Sequence, residues 1–202
     1  MTQFFLATSN PGKIRQFAEF GCPYAPMANV PDIHEPDDVI EKIVAYKCFM
    51  HGAGAVCEDT CMDIEWSDID GNLIRFIQDN IHQFDGSPAT ISIGIGRNDG
   101  RDINVWVSSV SGIIRSSGYD REAFGFDSVF VPDNQERSMH EIIRAGLLKD
   151  YSPRYQALKR MLDNDIPDYR CSALTPVVVT KFQNQTPDIT TPTNTRIPAP
   201  EI

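Results

Sequence analysis

The stretch "ATISIGIGRNDGRDINVWVSSV" (89–110) decides the architecture. Its two ends, "ATISIGIG" and "DINVWVSSV", each alternate apolar and polar residues, and "RNDGRD" between them supplies turn residues. That pattern predicts a β-hairpin of two antiparallel strands. Toward the N-terminus, "TQFFLATSNPGKIRQFAEF" (2–20) reads as strand, turn and helix. The strand is expected near residues 3–7, with Asn10 as N-cap, Pro11 at the first helical position, and Ile14, Phe17 and Ala18 as the apolar stripe. A second helix is expected over 37–51, capped by Asp37, with Val39, Ile43, Tyr46, Lys47 and Met50 at helical spacing. "AVCEDTCMDIEW" (55–66) reads as a buried strand, an acidic turn and a short strand, and helical spacing returns weakly over 73–81.

Toward the C-terminus, "DSVFVPD" (127–133) reads as a further strand. Ser152 and Pro153 open a helix with Tyr155, Leu158, Met161 and Leu162 on one face, and "PVVVTKF" (176–182) could add an edge strand. This order of elements predicts an α/β or α+β domain with a mixed, partly antiparallel sheet. The composition changes after Pro167, and "TPDITTPTNTRIPAPEI" (186–202) is rich in Thr and Pro. The chain therefore divides into a folded domain over 1–166 and a flexible extension over 167–202.

The net charge of −10 disfavours binding to a nucleic-acid backbone, which calls for a basic surface. A small anionic substrate stays compatible if a local cluster of cations or a metal ion meets it. The five cysteines form no C-x-x-C pair and the four histidines show no metal-ligand spacing. No apolar run is long enough to span a bilayer or to serve as a secretory signal, so a cytoplasmic protein without membrane contact is expected. Trp66 and Trp106 are expected in the core.

Four places could carry chemistry. In "TSNPGK" (8–13) a strand gives way to a helix whose first turn holds a lysine; free N–H groups and the positive dipole end suit phosphate, with Thr8, Asn10 and Lys13 as donors. In "CEDTC" (57–61), Glu58 and Asp59 are adjacent carboxylates, suited to Mg²⁺ and to accepting a proton from water, or else simply an acidic turn. Glu35 precedes the second helix and has no capping task, while His34 beside it could approach a metal. In "FGFDSVFVPD" (124–133), Phe124, Phe126 and Asp127 could form a base pocket or a core-packing aromatic pair.

In this order the motifs resemble the inosine triphosphate pyrophosphatase family, the Ham1-like house-cleaning nucleotide hydrolases. That family carries T-x-N-x-x-K, G-E-P-D, V-E-D-T, F-G-W-D-P and K-N-x-x-S-H-R; the chain has "TSNPGK" (8–13), "HEPDD" (34–38), "CEDTC" (57–61), "FGFDS" (124–128) and "KDYSPR" (149–154). The resemblance spans roughly residues 3–163. It implies two lobes around an elongated mixed sheet with a substrate cleft between them, a homodimer, and Mg²⁺-dependent hydrolysis of ITP, dITP or XTP to monophosphate and pyrophosphate. It implies that Thr8, Asn10, Lys13, Lys47 and Arg75 meet the triphosphate, with Lys13 also catalytic. Glu35, Glu58 and Asp59 would form the metal and water-activating cluster, with Asp59 the proton acceptor. Phe124, Phe126 and Asp127 would line the base pocket, and Lys149, Ser152 and Arg154 would close the site.

The departures cluster at the base pocket. Phe126 stands in place of Trp, Ser128 in place of Pro, and Pro153 in place of the His of S-H-R. Lys149 lies one residue closer to Ser152 than usual, and "DGNLIRFI" (70–77) lacks L-P-G-P-Y. An altered base preference is the expectation. A nucleotide-binding module without turnover and an interaction domain recruiting partners through its tail are the alternatives. The Maf-type pyrophosphatases, which would show Ser-Pro-Arg-Arg in the first turn, are the rival enzymes.

Overall fold

The computed structural model describes residues 2–31, 33–65, 67, 71–72, 74–120, 123–179 and 181–182; Trp66 and the tail from 183 lie outside them. In chain order the elements are β1 (Phe5–Leu6), α1 (Pro11–Glu19), β2 (Ala25–Pro26), α2 (Ile40–His51), β3 (Ala55–Ile64), α3 (Ile74–Asp79), β4 (Pro88–Asn98), β5 (Asp102–Ile114), β6 (Phe130–Pro132), α4 (Met139–Arg144), α5 (Leu148–Tyr151), α6 (Pro153–Leu162) and β7 (Tyr169–Ser172). The sheet runs β2-β1-β3-β4-β5-β6, with β7 on β5 beside the first half of that strand. β1 is parallel to both β2 and β3, and the remaining pairs are antiparallel. This is the mixed, partly antiparallel sheet that the order of elements predicts.

The hairpin forms as read. β4 and β5 pair from Pro88↔Ile113 to Asn98↔Ile103. In the turn the Asp99 carboxylate accepts from the N–H groups of Arg101 and Asp102 (2.9 and 2.8 Å). Gly100 sits at φ +90, where a side chain would be strained.

β3 corrects the sequence reading. Residues 55–64 form one continuous strand, paired with β4 residue by residue through Glu58↔Ile95, Asp59↔Gly94 and Thr60↔Ile93, with no turn at the acidic pair. Asp and Glu are poor strand formers, but a full ladder on a long neighbour outweighs that preference.

Both faces of the sheet are covered. On one, Val56, Met62, Ile93, Ile95 and Trp106 pack with Phe17 and Phe20 from α1 and its end and with Leu158 and Met161 of α6. On the other, Ala55, Cys57, Ile103 and Val105 pack with Val44, Ala45 and Cys48 of α2. Gly96 permits that second contact: a Cβ there would fall 2.6 Å from Val44 Cγ1 and 2.8 Å from Cys48 Sγ.

α2 begins at Ile40 rather than 37, and Val39 is the N-cap position; the Asp38 carboxylate accepts from the Val39 N–H at 2.9 Å, and Asp37 is not the cap. Its buried residues are Ile43, Val44, Ala45 and Cys48, whereas Val39 and Met50 are exposed, because Ile40 and Val44 turn toward Gly94. In α1, Phe17 and Gln16 are buried and Ala18 faces outward. Residues 176–179 add no strand; β7 lies earlier, in a segment with little apolar alternation, held by its ladder to β5 and by Arg170 to Asp102 (2.5 Å).

Candidate active site

β1 is where the sheet changes direction: α1 leads from it to β2 on one side, and α2 crosses to β3 on the other. The carboxyl end of a strand at such a switch point leaves a crevice between diverging connections. β1 pairs with β3 only at Ala55 and Val56, so the β3 edge beyond Val56 opens there. A cleft of about 1050 Å³ lies at this point. Asn10, Lys13, Glu35, Asp59, Arg75, Phe124, Phe126, Asp127, Ser152 and Arg154 all line it, so most of the candidates from distant motifs converge.

Alternation along β3 divides the acidic pair. Glu58 faces α1 and α6; its Oε2 lies 2.5 Å from Lys13 Nζ and its Oε1 accepts from Arg154 Nη2 at 2.9 Å. The Thr60 hydroxyl donates to Glu58 Oε1 at 3.1 Å, and Arg154 Nη1 donates to Gln16 Oε1. Burial alone would push the Glu58 carboxyl up, but Arg154 and Lys13 hold it at about 2. Oε2 meets Lys13 as an ion pair without the angle of a hydrogen bond.

Asp59 faces α2. Lys47 Nζ bridges Glu35 Oε1 (2.6 Å) and Asp59 Oδ2 (3.1 Å), and the Thr60 N–H donates to Asp59 Oδ1 (2.9 Å). Burial would lower the Lys47 pKa, yet the two carboxylates raise it. The expected single cluster of Glu35, Glu58 and Asp59 is therefore two half-sites. One formal charge each gives +1 on the Glu58 side (Lys13 and Arg154 against Glu58) and −1 on the Asp59 side (Lys47 against Glu35 and Asp59).

At the helix end, Asn10 Oδ1 accepts from the N–H groups of Gly12 and Lys13 (2.9 and 3.3 Å), and Thr8 Oγ1 accepts from the Asn10 N–H (3.2 Å). The Asn10 carbonyl is thus a cap, leaving its amide NH₂ as the possible ligand donor. Phe124 lies against Gly12, where a Cβ would come 2.4 Å from its ring, and its face receives the Arg154 guanidinium at 5.2 Å. Phe126 is both core and cleft wall, 4% exposed. Burial pushes the Asp127 carboxyl up to about 7, against the opposing pull of Arg154. Ser152 caps α6 through the Tyr155 N–H (3.2 Å). Lys149 is not brought in: it is exposed, with its ammonium 5.4 Å from the Tyr155 ring centre and outside the cleft lining. His34 lines the cleft with Glu35 and Asp59, its ring 5.0 Å from that of Phe182 and tilted by 44°.

Sequence reading missed Gln16 and Thr60. Both had a signal: Gln16 follows Lys13 by three residues on one helix face, and Thr60 follows Glu58 by two on one strand face. Among the described residues no three His, Cys, Asp or Glu side chains are gathered to hold a metal. Glu35 and Asp59 fit the pattern of a Mg²⁺ carried by one or two carboxylates and completed by substrate phosphates. Glu58, with both oxygens facing cations, does not fit as a ligand. Among the described residues no helix is long and apolar enough to cross a membrane.

No family model matches the chain, and no curated protein matches it by sequence. Solved structures do share its fold. The Ham1 protein of Staphylococcus aureus superposes with a TM-score of 0.61 at 16% identity, covering 80% of this chain and 97% of that one. A HAM1 protein from Coxiella burnetii superposes with a TM-score of 0.64 at 18% identity, covering 81% of this chain and 98% of that one. The chain has the fold of the Ham1 proteins.

Proposed function

We propose that the chain is a Mg²⁺-dependent nucleoside triphosphate pyrophosphatase, acting on purine nucleotides of the ITP, dITP and XTP type. The observation that carries this reading is the pairing of a cationic and an acidic half-site, organised by Glu58 and Lys47, whose Lys13, Arg154, Glu35 and Asp59 line one cleft. A triphosphate carries about four negative charges, so cations and a metal must offset them as charge moves to the leaving group. The first turn of α1, Lys13 and Arg75 receive phosphate oxygens, with the Asn10 amide as a further donor and Thr8 holding the turn. Lys47 adds charge from behind the acids. Glu35 and Asp59 would hold Mg²⁺, which when bound would supply charge neutralisation for the departing pyrophosphate.

Asp59 accepts a proton from the water that attacks the α-phosphorus. The water oxygen bonds to that phosphorus, the bridging α–β bond breaks, and its electron pair leaves on pyrophosphate. Glu58 keeps Lys13 and Arg154 aimed at the cleft. Phe124 and Phe126 enclose the base, and Asp127, Ser152 and Arg154 lie along its polar edge. Phe126 and Pro153 make this end more apolar than the family pattern, which favours relaxed base choice. A cytoplasmic homodimer completes the reading.

Product analysis tests it. Incubation with Mg²⁺ and ITP, dITP, XTP, dUTP or a standard triphosphate should give monophosphate and pyrophosphate in equal amounts. Appearance of diphosphate and orthophosphate instead would refute the proposed cleavage.

A further inference from the structure

The chain beyond residue 168 returns to the acidic half-site. After β7, Ala173, Val177 and Val179 pack onto the core that holds α2. At Lys181 and Phe182 the segment meets the loop that carries Glu35. The Asp37 N–H donates to the Lys181 carbonyl at 3.0 Å, and Phe182 forms a β-bridge with Pro36. The Phe182 ring lies 5.0 Å from His34 and 6.0 Å from Tyr46 of α2, measured between ring centres. These contacts fall on residues 34, 36 and 37, on both sides of Glu35, while Tyr46 is adjacent in sequence to Lys47.

Residue 35 sits in a connection, where a carboxylate has more freedom than on a strand. Asp59 is fixed by the β3–β4 ladder, whereas Glu35 is joined to it through Lys47 and otherwise depends on how its loop is held. A tether on that loop lowers the ordering cost of binding, because the loop is already confined before a ligand arrives.

We propose that Phe182 and the Lys181 backbone are positioning residues for Glu35: they clamp the 34–37 loop and so hold the Glu35 carboxylate at the cation-binding position beside Asp59. The role of Glu35 here rests on the function proposed above. The C-terminal segment through Phe182 is then part of the site rather than a solvated tail.

The test compares the full chain with Phe182→Ala and Phe182→Tyr. Phe182 is 42% exposed, so the tyrosine keeps the ring and its hydroxyl can reach water. Amide exchange over 33–38 is followed by mass spectrometry, alongside the Mg²⁺ concentration for half-maximal pyrophosphate release. Phe182→Ala should speed exchange in that loop alone and raise the Mg²⁺ requirement about tenfold, the size of effect seen when a partner that orients a metal ligand is lost. Its kcat at saturating Mg²⁺ should change far less than its Mg²⁺ requirement. Phe182→Tyr should restore both readouts. Unchanged loop exchange in Phe182→Ala overturns the tether, and acceleration shared equally by β3 and α2 overturns it in favour of a general structural role. Absence of pyrophosphate release from every form, wild type included, overturns the activity and with it the role of Glu35, while exchange still decides the tether.

Discussion

Glu58 and Asp59 are consecutive in β3, yet their carboxylates serve opposite faces of the sheet: Glu58 binds Lys13 and Arg154, and Asp59 binds Lys47. In the function proposed above, the two adjacent acids have separable tasks, Glu58 organising cations and Asp59 handling metal and water.

Glu58→Gln should damage stability first. It leaves two cations beside a buried amide, and breaking a buried pair costs about 3–5 kcal/mol. Urea denaturation at neutral pH reads this directly. The pH dependence has a definite sign: the Glu58 carboxyl falls from 4.5 to about 2 on folding. Its stabilisation is complete above about 4.5 and is lost as pH falls through about 2, a contribution on the order of 3 kcal/mol. Glu58→Gln should flatten the stability curve in that window.

Asp127 should act in the opposite direction. Its carboxyl rises from 3.8 to about 7 in the folded chain. The folded state therefore holds the proton more tightly, and stability from this group declines as pH rises from about 4 to about 7. Asp127→Asn should remove that slope. It should also flatten the pH dependence of KM between about 6 and 8, because the group changes from donor to acceptor there.

Gln16→Glu tests the charge balance of the cationic half-site. The amide holds Arg154 without neutralising it. A carboxylate there would cancel the net +1, and KM for the triphosphate should rise about tenfold or more, with kcat affected less. Gln16→Met should mainly loosen Arg154, so the two variants separate charge from positioning.

Gly96→Ala should destabilise by about 1–3 kcal/mol, because its methyl would overlap Val44 and Cys48 where α2 meets the sheet. Thermal unfolding measures this, and unchanged stability would mean that α2 can shift away from β4.

The hairpin, the capped start of α1 and the helix opened by Ser152 were legible because each depends on short-range signals: alternation, an N-cap, and proline at the first helical position. Glu58 and Asp59 were legible as candidate acids, but their division between the two faces of β3 was not. An acidic pair inside a strand looks like a turn until the β4 ladder fixes its alternation. The buried face of α2 was misread for a related reason: two stripes compete in its sequence, and the glycines of β4 select the one with Ile40 and Val44. β7 and Phe182 carry little local pattern, since pairing with β5 and contact with the 34–37 loop define them. Arg154 was legible as a candidate and lines the cleft, whereas its burial on Glu58 and Gln16 depends on the distant approach of α1 and α6.

In the proposed reaction Asp59 activates water for attack at the α-phosphorus. The most direct measurement is a single-turnover reaction with Mg²⁺ and ITP in ¹⁸O-water, comparing wild type with Asp59→Asn. The account predicts one ¹⁸O atom in the monophosphate, none in the pyrophosphate, and a loss of about 10²–10⁴-fold in rate for the variant with nucleotide binding largely kept. Label in the pyrophosphate, or an unchanged rate in Asp59→Asn, would contradict it.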